Sequence, residues 1–175
     1  MVNMCKVQKP VSVEVVLSFT REQLMYDIAN CSYVESHVAA EDTEHSRHMM
    51  ADVCEEGNAD RVTRILDLAV ATCREQLYPY TKTNVVGSTL TDNLQETQEY
   101  KIELTLPETV SQTSVQLLEH LVHEYLVCRG VAEWMSVTAP KRADTWYGKA
   151  AEAESEIRSA LATRMNRQRI KCHWL

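Results

Sequence analysis

The chain is poor in residues that break or bend a backbone. Its 175 residues include four glycines and four prolines, and Gly57, Gly87, Gly130 and Gly148 lie far apart. A phosphate-cradling loop needs closely spaced glycines so that backbone N–H groups can approach the anion. Neither the P-loop nor the dinucleotide-binding pattern is present, and there is no Gly-x-Ser-x-Gly elbow to present a serine nucleophile. The six cysteines include no Cys-x-x-Cys pair and are widely and irregularly spaced, unlike zinc or redox motifs. Cys31, Cys73 and Cys128 fall on apolar stripes of predicted helices, so they read as reduced, buried thiols acting as small hydrophobes. The pairs His45/His48 and His120/His123 have a spacing that fits one helix face. No His-Glu-x-x-His or Glu-x-x-His motif occurs, so zincin and di-iron signatures are missing. His120 and His123, flanked by Glu119 and Glu124 and turned from Leu121 and Tyr125, are expected at the surface. No apolar run approaches the roughly 20 residues that span a bilayer, and Met1 to Lys6 leads into no signal-peptide core. The expectation is a non-enzymatic protein with no cofactor, metal or membrane partner, made and assembled in a cytoplasm.

What is present is helical periodicity. Hydrophobic residues make up 45% and charged residues 25% of the chain, a globular composition at a length that fits one domain, 1–175. Leu118, Leu121, Val122, Tyr125, Cys128, Ala132 and Met135 recur every three or four residues, as do Trp146, Ala150, Ala153, Ile157 and Ala160. Each series makes one apolar helix face. Pro140 lacks an N–H and pushes Ala139 out of the helical region, so 114–137 and 140–165 are predicted as a long hairpin. Trp134 and Trp146, flanking its turn, are expected in the core. Gly130 inside the first arm costs about 1 kcal/mol relative to alanine; close packing and a kink both account for it.

Period two marks two strands: 11–19, where Val11, Val13, Val15, Leu17 and Phe19 alternate with polar neighbours, and 100–106, with Tyr100, Ile102, Leu104 and Leu106. Thr20 with Gln23 forms a capping-box pattern for a helix over 20–33. Asn58 is placed to cap a second helix, 59–78, carrying Val62, Ile65, Leu66, Ala69, Cys73 and Leu77. Ser111 or Thr113 can cap the long helix. Residues 36–57 read as a loop with a weak helical lead-in, and 81–99 as a polar projecting loop of the kind that often binds. The fold class is therefore mainly α with a small antiparallel sheet (α+β).

Net charge is -7, unevenly spread. Acids dominate from Glu35 to Asp60, and bases from Arg158 to the end. The two regions read either as solvated patches or as a head-to-tail contact between copies, the kind that builds rings or filaments. Three sets of candidate interface residues follow: Glu41, Asp42, Glu44, Glu55 and Glu56 in the acidic segment; Val85, Val86, Gly87, Leu90 and Leu94 in the loop; and Arg164, Arg167, Arg169, Lys171 and Trp174 in the tail, 166–175 and the residues before it.

A resemblance covers most of the chain. His123-Glu124-Tyr125-Leu126-Val127, then Ala132-Glu133-Trp134-Met135, then Thr138-Ala139-Pro140 and an Ala- and Glu-rich helix running into Arg164 form one part of the pattern. Ser18-Phe19-Thr20 leading into Leu24-Met25-Tyr26-Asp27-Ile28, and Ile102-Glu103-Leu104-Thr105-Leu106-Pro107, complete it. The pattern resembles small head–tail connector, or neck, proteins of tailed bacteriophages, notably of Bacteroides-type phages and prophages. The six cysteines and the polar stretch from Thr81 to Glu99 depart from it. The resemblance implies a virion structural protein at the head–tail junction, in a ring of about twelve copies that continues the DNA channel. Its implied partners are its own copies, the portal protein, a further neck or tail-completion protein, and DNA passing without sequence-specific binding. The alternatives are a tail-completion protein of the same particle and a cytosolic helical binding module unrelated to phage.

Overall fold

The computed structural model describes residues 12–38, 43–83 and 97–162. Two strands and five α-helices follow one another in the order β1 (Ser12–Thr20), α1 (Arg21–Val38), α2 (Glu44–Ala51), α3 (Glu56–Gln76), β2 (Glu99–Pro107), α4 (Gln112–Thr138) and α5 (Pro140–Ala160). A 3-10 turn, Asp52–Cys54, joins α2 to α3. The fold is mainly helical with a two-stranded antiparallel sheet.

The strands pair antiparallel, Leu17 opposite Ile102 and Phe19 opposite Tyr100. Leu17, Phe19, Tyr100, Ile102, Leu104 and Leu106 are buried while their neighbours along each strand stay exposed. Successive side chains point to opposite faces, so the alternating pattern presses one face of the sheet into the core. At the outer edge of β2, the Thr105 N–H donates to the Tyr80 carbonyl at 2.8 Å, where the chain leaves α3.

The centre of the molecule is α4. Val115, Leu118, Val122, Leu126, Val127, Val131, Trp134 and Met135 are buried around its circumference, and α1, α2, α3 and α5 all lie against it. Ser111 caps it, its Oγ accepting from the Ser114 N–H at 3.2 Å. Pro140 is the first residue of α5, so the hairpin turn lies where the proline requires it. Along α5 the buried side chains are Ala143, Trp146, Ala150, Ala153 and Ile157; the alanines let the two arms approach closely.

Four local expectations are corrected. The Thr20–Gln23 pairing gives way to tertiary structure: β1 runs through Thr20, opposite Glu99, and the Gln23 amide turns to Asp27 at 3.0 Å. Helix α1 runs on past Tyr33 to Val38, its inner face continued by buried Ser32 and Ser36. The segment expected as a loop with a weak helical lead-in holds a formed helix, α2, capped by Thr43, whose Oγ1 accepts from the Ser46 N–H at 3.3 Å. Helix α3 begins at Glu56, and Asn58, instead of capping it, donates to the Asp52 carbonyl at 2.8 Å.

Gly130 is explained by close packing. A Cβ placed there would lie 2.5 Å from Ile28 Cδ1 and 3.0 Å from Ile28 Cγ1, and Ile28 is itself fully buried. Glycine thus lets α1 approach α4. Gly130→Leu is expected to cost about 1–3 kcal/mol by overpacking. Gly130→Ala gains about 1 kcal/mol of helix propensity but displaces Ile28. In an Ile28→Ala background, which removes both Cδ1 and Cγ1, the alanine should stabilise, with a coupling of at least about 0.5 kcal/mol. Urea unfolding of the four proteins measures it; additive effects would rule out the contact.

Candidate functional site

The sequence-derived interface residues divide by position. Arg164, Arg167, Arg169, Lys171 and Trp174 of the tail, Val85, Val86, Gly87, Leu90 and Leu94 of the loop, and Glu41 and Asp42 lie outside the described residues. Glu44, Glu55 and Glu56 are described, and all three are exposed. Each sits at a helix start: Glu44 opens α2, Glu55 is the N-cap of α3 and Glu56 its first residue. Acids there face the positive end of the helix dipole, worth about 0.3–1 kcal/mol each, so part of the acidic segment serves local folding. Another part is neutralised within the chain. Glu35 pairs with Arg142 of α5 at 2.9 Å.

Two surfaces missed by sequence reasoning are laid out by α1 and α3. Helix α1 packs Leu24 and Ile28 into the core, yet Tyr26, Tyr33, Val34 and Val38 are 66%, 54%, 52% and 66% exposed. Steps of seven, eight and twelve residues from Tyr26 bring these side chains onto one face, opposite the packed one. The His37 ring lies against Tyr33, with centroids 4.1 Å apart. Helix α4 is buried over much more of its circumference, and its exposed positions, among them Gln116, Glu119, His120 and Glu124, are mostly polar. Among the described residues nothing covers the outward face of α1.

The second surface is a groove of about 360 Å³ between α3 and α4. Ile65, Leu68 and Ala69 form its floor, and Arg61, Arg64 and Arg129 its rim. Leu68 is 65% exposed, a leucine on the otherwise wet side of α3. Arg129 is held at 2.7 Å by Glu133 and lies over the Tyr147 ring at 5.3 Å. The spacing of Tyr26, Tyr33, Val34 and Val38, and the position of Leu68 off the inner stripe, were the available sequence signals.

The titratable groups are arranged for packing. Burial pushes the Cys73 and Cys128 thiols up to about 12; burial also raises Cys31 and Cys54. All four therefore stay protonated near neutrality, and a thiol is a poor nucleophile. His123 is no free surface histidine. It is half-buried, its Nε2 lies 2.9 Å from Asp27 Oδ2, and its ring is near Phe19; it ties α4 to α1. His45, His48 and His120 are at or near the surface. Trp134 and Trp146 are buried, as expected. Among the described residues, no three His, Cys, Asp or Glu side chains are grouped to hold a metal ion. No helix among them is long and apolar enough to cross a membrane.

Comparison of the chain with family models, with curated proteins and with solved structures found no match.

Proposed function

We propose that the protein is a non-enzymatic virion structural protein, a neck adaptor whose copies form a ring at the head–tail junction of a tailed phage. In this reading the ring joins the portal to a further neck or tail-completion protein and continues the DNA channel. The observation that carries it is the outward face of α1. Tyr26, Tyr33, Val34 and Val38 lie exposed on a helix whose other face is already packed. Exposed tyrosines and valines grouped on one helix face of a small protein mark an interaction surface. The sequence resemblance supplies the particle and the partners.

The test is the mass of the assembled species, with the protein alone and mixed with the portal protein of the same phage. A closed ring, alone or templated by the portal, is expected. A protein that stays monomeric in both conditions and binds an isolated amphipathic helix is a helical binding module instead, a reading the apolar groove between α3 and α4 would then explain.

The basic end gives a separate expectation. Replacing Arg164, Arg167, Arg169 and Lys171 with Gln should leave the melting temperature of the monomer nearly unchanged, because in the sequence they follow the apolar stripe that runs from Trp146 to Ala160. Association should weaken. Contacts between charged protein rims decline modestly as salt rises, whereas phosphate contacts fall steeply with the number of charges neutralised. The net charge of -7 repels DNA overall, so the modest dependence is expected. Tight duplex binding at physiological salt, lost in the four-Gln variant, would reverse this assignment.

A further inference from the structure

We infer that the groove between α3 and α4 receives the outward face of α1 from a second copy of the chain, so that copies join head to tail. The inference rests on the assembly reading and names its two mating surfaces. The surfaces are complementary in kind. On α1, Glu22, Tyr26 and Tyr33 follow at steps of four and seven residues, and all three are exposed. On the other side the groove brings Ile65, Leu68 and Ala69 together with Arg61, Arg64 and Arg129, and with Glu133, which pairs with Arg129. A helix laid in a groove is anchored by side chains at such steps. Arginine suits both kinds of group that α1 presents, a carboxylate and a tyrosine ring. The groove already shows the second preference within one chain, since Arg129 lies over Tyr147.

The choice of a second copy follows from the placement of the two patches. A symmetric contact through α1 alone would bury aromatics against aromatics and leave Leu68 exposed. A contact of α1 with the groove covers one patch of each kind, and because they are different surfaces of one chain, the pair keeps one free α1 face on one copy and one free groove on the other. Repetition then extends the assembly, which closes or not according to the rotation between copies.

Two single variants and their mixture test this. Tyr33→Asp spoils the α1 face and keeps the groove; Leu68→Asp spoils the groove and keeps the α1 face. Both positions are exposed, so melting temperatures should match the wild type; if either variant loses its transition, Tyr33→Ser and Leu68→Ser take their place. Native mass spectrometry is expected to show an oligomeric wild type and each variant alone as a monomer, with association weakened about 30-fold or more. An equimolar mixture should give a dimer and nothing larger, because one intact α1 face meets one intact groove. If both variants assemble as the wild type does, or only the Tyr33 variant fails, or the mixture stays monomeric, the inference is wrong while the ring reading stands. A wild type that remains monomeric with and without the portal protein removes the ring reading itself.

Discussion

Leu118→Glu should leave the protein without a cooperative thermal transition, and Leu104→Glu should do the same. Leu118 has no exposed surface and Leu104 is 1% exposed. Leu118 points from the N-terminal half of α4 into the core, and Leu104 lies opposite Val15 on the inward face of the sheet. Removing a buried leucine side chain costs about 2–5 kcal/mol before any charge is considered. A glutamate there must also lose its hydration without a partner or take up a proton, which costs further. Since domains of this size are stable by only about 5–15 kcal/mol, the combined loss takes most or all of the margin. Gln116→Glu, exposed on the same helix, should change stability by no more than about 0.5 kcal/mol. Calorimetry and circular dichroism decide the matter. Wild-type melting by both leucine variants would mean that the core is assigned to the wrong faces.

The second large effect is expected at Trp134. Its ring is 3% exposed and its Nε1 donates to the Met50 carbonyl at 2.9 Å. That carbonyl is in the last turn of α2, where the helix itself leaves acceptors unpaired. One side chain of α4 therefore both fills core volume and closes the end of a neighbouring helix. Trp134→Ala should cost about 3–5 kcal/mol. Trp134→Phe keeps most of the packing but leaves the Met50 carbonyl without its donor, for about 1–3 kcal/mol. The two variants should differ in kind as well as size. With eight residues, α2 is too short to persist by itself, so Trp134→Phe should speed amide exchange in α2 before it does so in α5. Denaturant midpoints and hydrogen exchange by segment read both effects. A cost below about 1 kcal/mol for the alanine variant, or uniform exchange in the phenylalanine variant, would show that the indole is not the tie between α4 and α2.

The elements legible in the sequence are those whose cause lies within a few residues of themselves. Alternation over Val13 to Phe19 and Tyr100 to Leu106 specifies strands because side chains on an extended backbone change face at every step. Pro140 places the hairpin turn because its ring forbids a helical residue before it. Of the two candidate caps, Ser111 and Thr113, Ser111 is the one that caps α4. The α4 stripe was legible for the same reason, since Leu118, Val122 and Tyr125 return to one side at each turn.

What lay beyond local reading depended on residues far apart in the chain. The continuation of α1 was hidden because Ser32 and Ser36 read as polar, yet they are buried. Helix α2 buries little of its own besides Met50; it is held in place by the indole of Trp134 and by Arg47 reaching back to Ser36. His123 reads as a surface group until the fold brings Asp27 within 2.9 Å of it. Gly130 carried two readings until Ile28 was found in the space a side chain would need. The outward face of α1 and the arginine-rimmed groove belong to the same class. Period and proline write the elements because their effects act on the backbone of their own neighbours. Which face of an element is covered is decided by the helix that packs against it, and here only the tertiary structure says that four helices pack against α4 while the face of α1 that carries Tyr26 and Tyr33 stays exposed.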